Sequence, residues 1–370
     1  MSFSQAFTIH QYHHTATSHD AISNYLFWIQ KSLHDAGISG EIFASKISDL
    51  PPNSVKPFEK SKLWNCDLLL IHHSQGNPLL DRLIDIEVPK AVIYNNITPS
   101  HFFKHDSFLE NLSRLGRSQL KILAKETSAG FGTSDFNCRE LEENGFLQPQ
   151  KLPLLEIPNA PESPSRNFQK GKPIQLLFVG RIARHKNQAL LIKTFYYLKD
   201  RLPENSSLVL VGKGDPIYSK YLRLLIKQLG LSKHITLTGK ISDSELATLY
   251  AKSTALICPS LHEGFCIPLV EAMKVQLPIF AVAADGVAET LGDSGLLMHT
   301  DRPHEIAAIL ANAFKNSELM NPLSESSGNR LKSLSEFHNS KILVSRLQQL
   351  AERIRTTPPH QKKRSHEPLR

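Results

Sequence analysis

From Ile174 onward the chain alternates short apolar runs with longer helix-forming segments, and this alternation limits the folds open to it. The expected order is strand (Ile174–Val179), helix (about 187–202), strand (Leu208–Val211), helix (about 218–229), strand (Ile235–Thr238), helix, strand (Ala255–Cys258), helix, strand (Pro278–Ala283). Strands that are apolar throughout are buried on both faces, which calls for a parallel sheet covered by helices on each side. Ser242 and Glu245 have capping-box spacing and start the third of these helices. The first half repeats the units less regularly, with a helix over 21–36 and strands over 68–72 and 91–94. At 370 residues the chain exceeds what one core supports. We expect a first domain over 1–152, a linker over 153–173 marked by Pro153, Pro158, Pro161, Pro164 and Pro173, a second domain over 174–335, a helix over 336–355 and a basic, disordered tail over 356–370.

Two stretches of the second half carry chemistry. Between Glu263 and Glu271 the chain reads Glu-Gly-Phe-Cys-Ile-Pro-Leu-Val-Glu. Pro268 suits the first turn of a helix, which places Gly264 and Phe265 at its mouth and Glu271 about one turn inside. Backbone donors and two carboxylates in one short element suit the oxygens of a sugar nucleotide. Upstream, the strand ending at Val179 is followed by Gly180-Arg-Ile-Ala-Arg-His-Lys186-Asn187. Arg181 can bridge two phosphate oxygens with its planar fork, and Lys186 acts as a point charge. Ligands of open α/β sheets bind beyond the carboxyl ends of the strands, so both stretches can share one crevice. Gly212-Lys-Gly214 resembles a dinucleotide fingerprint, but the third glycine is missing and Pro216 follows, so we read a tight strand-to-helix turn.

In this order, Phe178-Val-Gly-Arg181 with Lys186, Leu210-Val-Gly212, Leu237-Thr-Gly239, Ser244 to Tyr250, the paired-glutamate block, Glu289-Thr-Leu-Gly292 and Gly295-Leu-Leu297 resemble the retaining glycosyltransferases of family 4 (glycosyl transferases group 1). The resemblance implies an α/β protein of GT-B architecture, with two facing Rossmann-like domains, parallel sheets and an interdomain cleft. It implies that Arg181, Lys186 and Glu263 are catalytic, the first two holding the donor diphosphate. The donor site would also draw on Gly180, Gly212, Gly239, Gly264, Phe265, Cys266, Ile267 and Glu271, the last for the ribose. In the first half, Asp20 to Asn24, His72 to Pro78, Tyr94 to Pro99 and Thr133 to Asn137 resemble a bacterial branch acting on envelope or exopolysaccharide acceptors, which puts Asp20, Asn24, His72 and Asn95 on the acceptor side. The chain departs from that branch in the glycine-free loop His14 to Asp20 and in Asn95, which stands where relatives often carry histidine.

The implied reaction moves a hexose from a GDP- or UDP-hexose to a saccharide or lipid-linked saccharide acceptor, with retention, in cell-envelope polysaccharide synthesis. No Asp-x-Asp triplet is present, so no metal and no cofactor are expected, and the paired histidines His72-His73 would point to opposite faces of a strand. The four cysteines, Cys66, Cys138, Cys258 and Cys266, suggest neither a metal-type pair nor a disulfide framework. Up to residue 165 there are 14 Lys/Arg against 18 Asp/Glu, and from 166 onward 29 against 17. The donor-side half is therefore the basic one, which favours an anionic ligand. The start lacks a signal-peptide pattern and no apolar run spans a membrane, so a cytoplasmic protein is expected. Residues 102–125 interleave apolar and basic side chains; this segment either packs on the first domain, the favoured reading, or touches an anionic membrane. No nucleic-acid partner is expected. A non-catalytic nucleotide-sugar-binding relative and a sugar-nucleotide epimerase are the alternatives.

Overall fold

A computed structural model describes residues 7–18, 20–58, 65–157 and 167–356. The chain forms two compact units, 1–157 with 336–370, and 158–335.

The first unit holds β1 (Ile9–Thr17), α1 (Ala21–Asp35), β2 (Ile42–Ser48), β3 (Lys56–Pro57), β4 (Leu68–His73), α2 (Leu80–Ile84), β5 (Lys90–Tyr94), α3 (Ser107–Glu126), β6 (Ala129–Gly132), α4 (Asp135–Glu143) and β7 (Gln150–Lys151). Its strands form one parallel sheet in the order β3-β2-β1-β4-β5-β6-β7. The second unit holds β8 (Gln175–Val179), α5 (Gln188–Leu198), β9 (Ser207–Val211), α6 (Pro216–Gln228), β10 (Ile235–Gly239), α7 (Asp243–Lys252), β11 (Ala255–Cys258), α8 (Ile267–Lys274), β12 (Ile279–Val282), α9 (Asp285–Leu291), β13 (Leu296–Met298) and α10 (Pro303–Ala313), with α11 (Ser317–Phe337) following. Its sheet is also parallel, in the order β10-β9-β8-β11-β12-β13. Each unit is thus a Rossmann-like α/β layer structure. In each, strand order reverses beside the first strand, between β1 and β4 and between β8 and β11, and such a switch point opens a crevice at the strands' carboxyl ends.

The apolar runs are buried for the reason the sequence suggests: every residue of β4, β5, β11 and β12 is inaccessible because helices cover both faces. The capping box forms, with Ser242 accepting from the Glu245 N–H and Glu245 accepting from the Ser242 N–H at 2.8 Å.

Three differences from the sequence reading stand out. The segment from Phe102 is not one helix: Phe102 and Phe103 belong to a 3-10 turn (Ser100–Phe103), and α3 starts after Asp106, whose carboxylate caps the Leu109 N–H. Leu120, Leu123 and Ala124 of α3 pack into the first unit. The stretch expected as one helix over 336–355 contains the end of α11 and a new helix, α12 (Ser340–Thr356), which runs one residue into the expected tail. Leu343, Leu347, Leu350, Ala351 and Ile354 lie on one face of α12 and join Ile9, Tyr25, Leu68 and Phe131 in the first unit's core. His338 fixes this return, its carbonyl accepting from Ile157 N–H at 2.9 Å and its Nδ1 from Leu154 N–H. Finally, the expected linker divides: 153–157 belong to the first unit, while Phe168 is tied to Asn321 in the second. Residues 158–166 and 357–370, including three of the linker prolines and the basic tail, lie outside the described residues. Among the described residues no helix is long and apolar enough to cross a membrane.

Candidate active site

The second unit's switch point gathers the residues singled out in its sequence. Gly180, Gly212 and Gly239 sit at the carboxyl ends of β8, β9 and β10 and hydrogen-bond in series: Gly180 N–H donates to Val211 O and Gly212 N–H to Gly239 O, both at 3.0 Å. Gly212 has φ 143°, and a Cβ there would stand 2.0 Å from the Gly180 carbonyl oxygen, so only glycine lets these turns pack. The next turn is held by the Asp215 N–H donating to Ile182 O. Arg181 is therefore carried on a rigid turn with its side chain exposed.

After Ala183 the chain makes one 3-10 turn, Arg184–Lys186, and passes through a left-handed Asn187 (φ 54°) into α5. This turn aims the Lys186 ammonium at Glu263, with Nζ to Oε1 at 2.5 Å. Both side chains are mostly inaccessible, at 18% and 11% exposure. Burial alone would lower the Lys186 pKa, but the Glu263 carboxylate and the adjacent thiols of Cys266 and Cys258 raise it on balance, so the lysine stays charged. Ser260 donates a second hydrogen bond to the same Glu263 oxygen at 2.8 Å. The two loops are also joined through the backbone, Leu261 N–H donating to His185 O at 2.8 Å. His185 is buried, and burial followed by the charges of Lys186, His262 and Arg181 drops its pKa to about 3, leaving it neutral.

Beyond Glu263 the loop is clamped from behind. Gly286 N–H donates to Glu263 O, and a Cβ on Gly286 would lie 2.2 Å from the Gly264 oxygen. Thr290 donates to the Phe265 carbonyl, and His262 donates to Asp285 at 2.7 Å. Phe265 and Cys266 are buried. Cys266 is the N-cap of α8 in a left-handed conformation (φ 68°) and gives no side-chain cap; α8 begins at Ile267 with Pro268 in its first turn. Glu271, one turn inside, accepts from the Tyr250 hydroxyl at 2.6 Å. Tyr250's pKa is pushed far up by burial and by Glu271, so it remains a donor.

One expectation is corrected. Cys258, the last residue of β11, and Cys266 are close, Sγ to Sγ 3.7 Å, and with a Glu263 oxygen their ligand atoms all lie within 4.8 Å of one another. Seven intervening residues fit no usual metal spacing; the return of the loop after β11 makes the pair. Contact with Cys258 and burial push the Cys266 thiol well above its ordinary range. The sequence reading also missed Tyr250, Ser260 and His185 as site neighbours; Ser260 was detectable as a hydroxyl three residues before Glu263.

In the first unit, Asp20 is the N-cap of α1, accepting from Ser23 N–H and Oγ, and Asn24 belongs to the first turn of that helix. His72 is buried; its Nε2 donates to Gln11 Oε1 at 3.1 Å and its Nδ1 accepts from Asn95 Nδ2 at 3.4 Å. Burial, then His13, lowers the His72 pKa well below the usual value. His13 and His72 are register partners on β1 and β4, while His73 points to the opposite face and donates to Gly116 O. The structure thus brings His72 and Asn95 together at the first unit's switch point, and gives Asp20 a capping role.

Part of the chain and its fold resemble known proteins. Residues 159–330 match the family described as Glycosyl transferases group 1. The O-antigen chain mannosyltransferase RfbU of Salmonella typhimurium is 30% identical over 177 residues, 48% of this chain and 47% of that protein. The D-inositol 3-phosphate glycosyltransferase of Corynebacterium glutamicum is 30% identical over 146 residues, 38% of this chain and 35% of that protein. The chain spans less than half the length of these curated relatives. Among solved structures, Anabaena HepE in complex with UDP and glucose superposes with a TM-score of 0.69 at 17% identity, covering 95% of this chain and all of that one. Residues 159–330 thus resemble glycosyl transferases group 1, in a chain with the fold of the GT-B glycosyltransferases.

Proposed function

We propose that the protein is a metal-independent, retaining glycosyltransferase that moves a hexose from a GDP- or UDP-hexose to a saccharide or lipid-linked saccharide acceptor, in the cytoplasm, during cell-envelope polysaccharide synthesis. The observation that carries this reading is the Lys186–Glu263 ion pair at the second unit's switch point, beside the uncapped start of α8 and the Tyr250–Glu271 pair. Lys186 and the exposed Arg181 supply positive charge where a departing diphosphate gains negative charge. The first turn of α8 offers N–H groups to a ligand oxygen, and Glu271, held by Tyr250, accepts from ribose hydroxyls. In a front-face transfer the departing phosphate oxygen takes the acceptor proton, so no side-chain base is required; the protein positions the reactants and stabilises charge. The relatives named above, an O-antigen chain mannosyltransferase and a structure holding UDP and glucose, support the donor class and an envelope acceptor.

Exposed Phe108 and Ile122 on α3, near Lys104, Arg114 and Lys121, offer a peripheral contact for an anionic membrane. Flotation with anionic vesicles tests that contact, and failure to float removes it.

The reaction reading is tested by thermal stabilisation with UDP, GDP, ADP and their hexose derivatives, in chelator, for wild type and Glu271→Ala. One nucleotide class at a hundred times its dissociation constant should stabilise the fold by about 2.7 kcal/mol, and the mutant should lose this shift. A chain that no nucleotide stabilises is not this enzyme. Transfer activity abolished by the chelator would refute the metal-independent mechanism.

A further inference from the structure

The pairing of Cys258 with Cys266 beside Glu263 has no part in the chemistry proposed above. Both thiols are buried, and their sulfurs are 3.7 Å apart. Two thiolates on one tetrahedral Zn2+, with Zn–S bonds of about 2.3 Å, stand about 3.8 Å apart. The third ligand atom, a Glu263 carboxylate oxygen, is already within 4.8 Å of both. Cys258 ends β11 and Cys266 directly precedes α8, so two regular elements flank the sulfurs.

We infer that Cys258, Cys266 and Glu263 form an inhibitory site for a thiophilic divalent cation such as Zn2+, built into the middle of the candidate donor site. Binding forms two metal–sulfur bonds and one metal–oxygen bond, and each thiol gives up its proton to solvent. The fourth position falls to water. Two thiolates and one carboxylate leave the dication with a net charge of minus one, and the Lys186 ammonium, 2.5 Å from Glu263, is placed to balance it. The same coordination draws Glu263 away from Lys186, so the cation and a nucleotide sugar compete. Only this competition rests on the functional reading; the cation site rests on the three side chains.

The test uses the full chain, reduced with a phosphine, stripped of metal and titrated with Co2+. We expect a thiolate-to-cobalt charge-transfer band and tetrahedral visible bands that saturate at one equivalent and vanish on adding Zn2+. Cys258→Ser should weaken binding at least tenfold, and Cys66→Ser should leave it unchanged. Glu263→Gln, which keeps the side-chain shape, should also weaken binding and serves if the cysteine variant does not fold. Absence of the charge-transfer band at tenfold excess of Co2+, or its persistence in both Cys258→Ser and Cys266→Ser, overturns the site. The spectrum needs no sugar nucleotide, so its failure leaves the transferase reading standing, and failure of nucleotide binding leaves the spectrum interpretable.

Discussion

The two units share an architecture but use their switch points differently. At β8 and β11 the crevice holds opposite charges: a lysine and a glutamate paired at 2.5 Å, with an exposed arginine on the adjoining turn. At β1 and β4 the corresponding place holds His13 and His72, both buried and neutral, with Gln11, Ser74 and Asn95 as partners. The first arrangement keeps charge ready for an anion. The second spends its polar groups on one another and holds no ion pair among them. Equivalent positions in the same fold can therefore hold buried charge or neutral polar groups, depending on whether a partner of opposite sign is built in to offset desolvation.

The sharpest way to break this contrast is Arg181→Ala. Transfer should fall by roughly 100- to 1000-fold, the range for losing one preorganised charge-stabilising group, with the melting temperature unchanged because the side chain is exposed. A variant with wild-type turnover would remove Arg181 from the site.

Next in size is the response to acid. His73 is held down to about 4 by burial, and burial also lowers His10, His13, His14 and His72. In the unfolded chain these groups take up protons below about 6.5, while the folded chain resists until the lower value. Their contribution is fully present above about 6.5 and is lost as pH falls toward 4, on the order of 3 kcal/mol for His73 alone. In the second unit burial, with nearby charges, holds His185 down at about 3. Trp28 packs on the first unit's core and Trp64, the other tryptophan of the sequence, also precedes residue 158, so the transition followed by tryptophan emission should shift down more between pH 7 and 4.5 than the other calorimetric transition. Equal shifts would contradict the contrast.

Smaller effects sharpen the donor side. Tyr250→Phe removes a 2.6 Å bond to Glu271, and nucleotide affinity should weaken roughly tenfold by calorimetric titration. Smallest is Ser242→Ala, which removes the α7 cap and should destabilise the second unit by about 1 kcal/mol without changing nucleotide affinity.

Much of the second unit was legible because its signals are local. β11 spans Ala255–Cys258 as read, Pro268 lies in the first turn of α8, and Ser242 with Glu245 makes the box their spacing suggests. Charged side chains of the site were legible as residue types on strand-end turns. Their pairing was not, since Lys186 and Glu263 are 77 residues apart and meet only because β8 and β11 are neighbours in the sheet. The same holds for Tyr250 with Glu271 and for Cys258 with Cys266. In the first unit, Asp20 shows how a polar residue before a helix reads equally well as a ligand contact or a cap; the Ser23 N–H at 3.1 Å makes it a cap.

By itself the sequence determined the α/β class, the two-unit division and the identity of the charged turns, because hydrophobic period, capping and proline or glycine placement act over a few residues. Only the tertiary structure decided that α12 returns to the first unit, that Lys186 and Glu263 meet as an ion pair, and that two distant thiols become neighbours. Those outcomes depend on strand order and on which apolar face finds which core, and no local pattern encodes either.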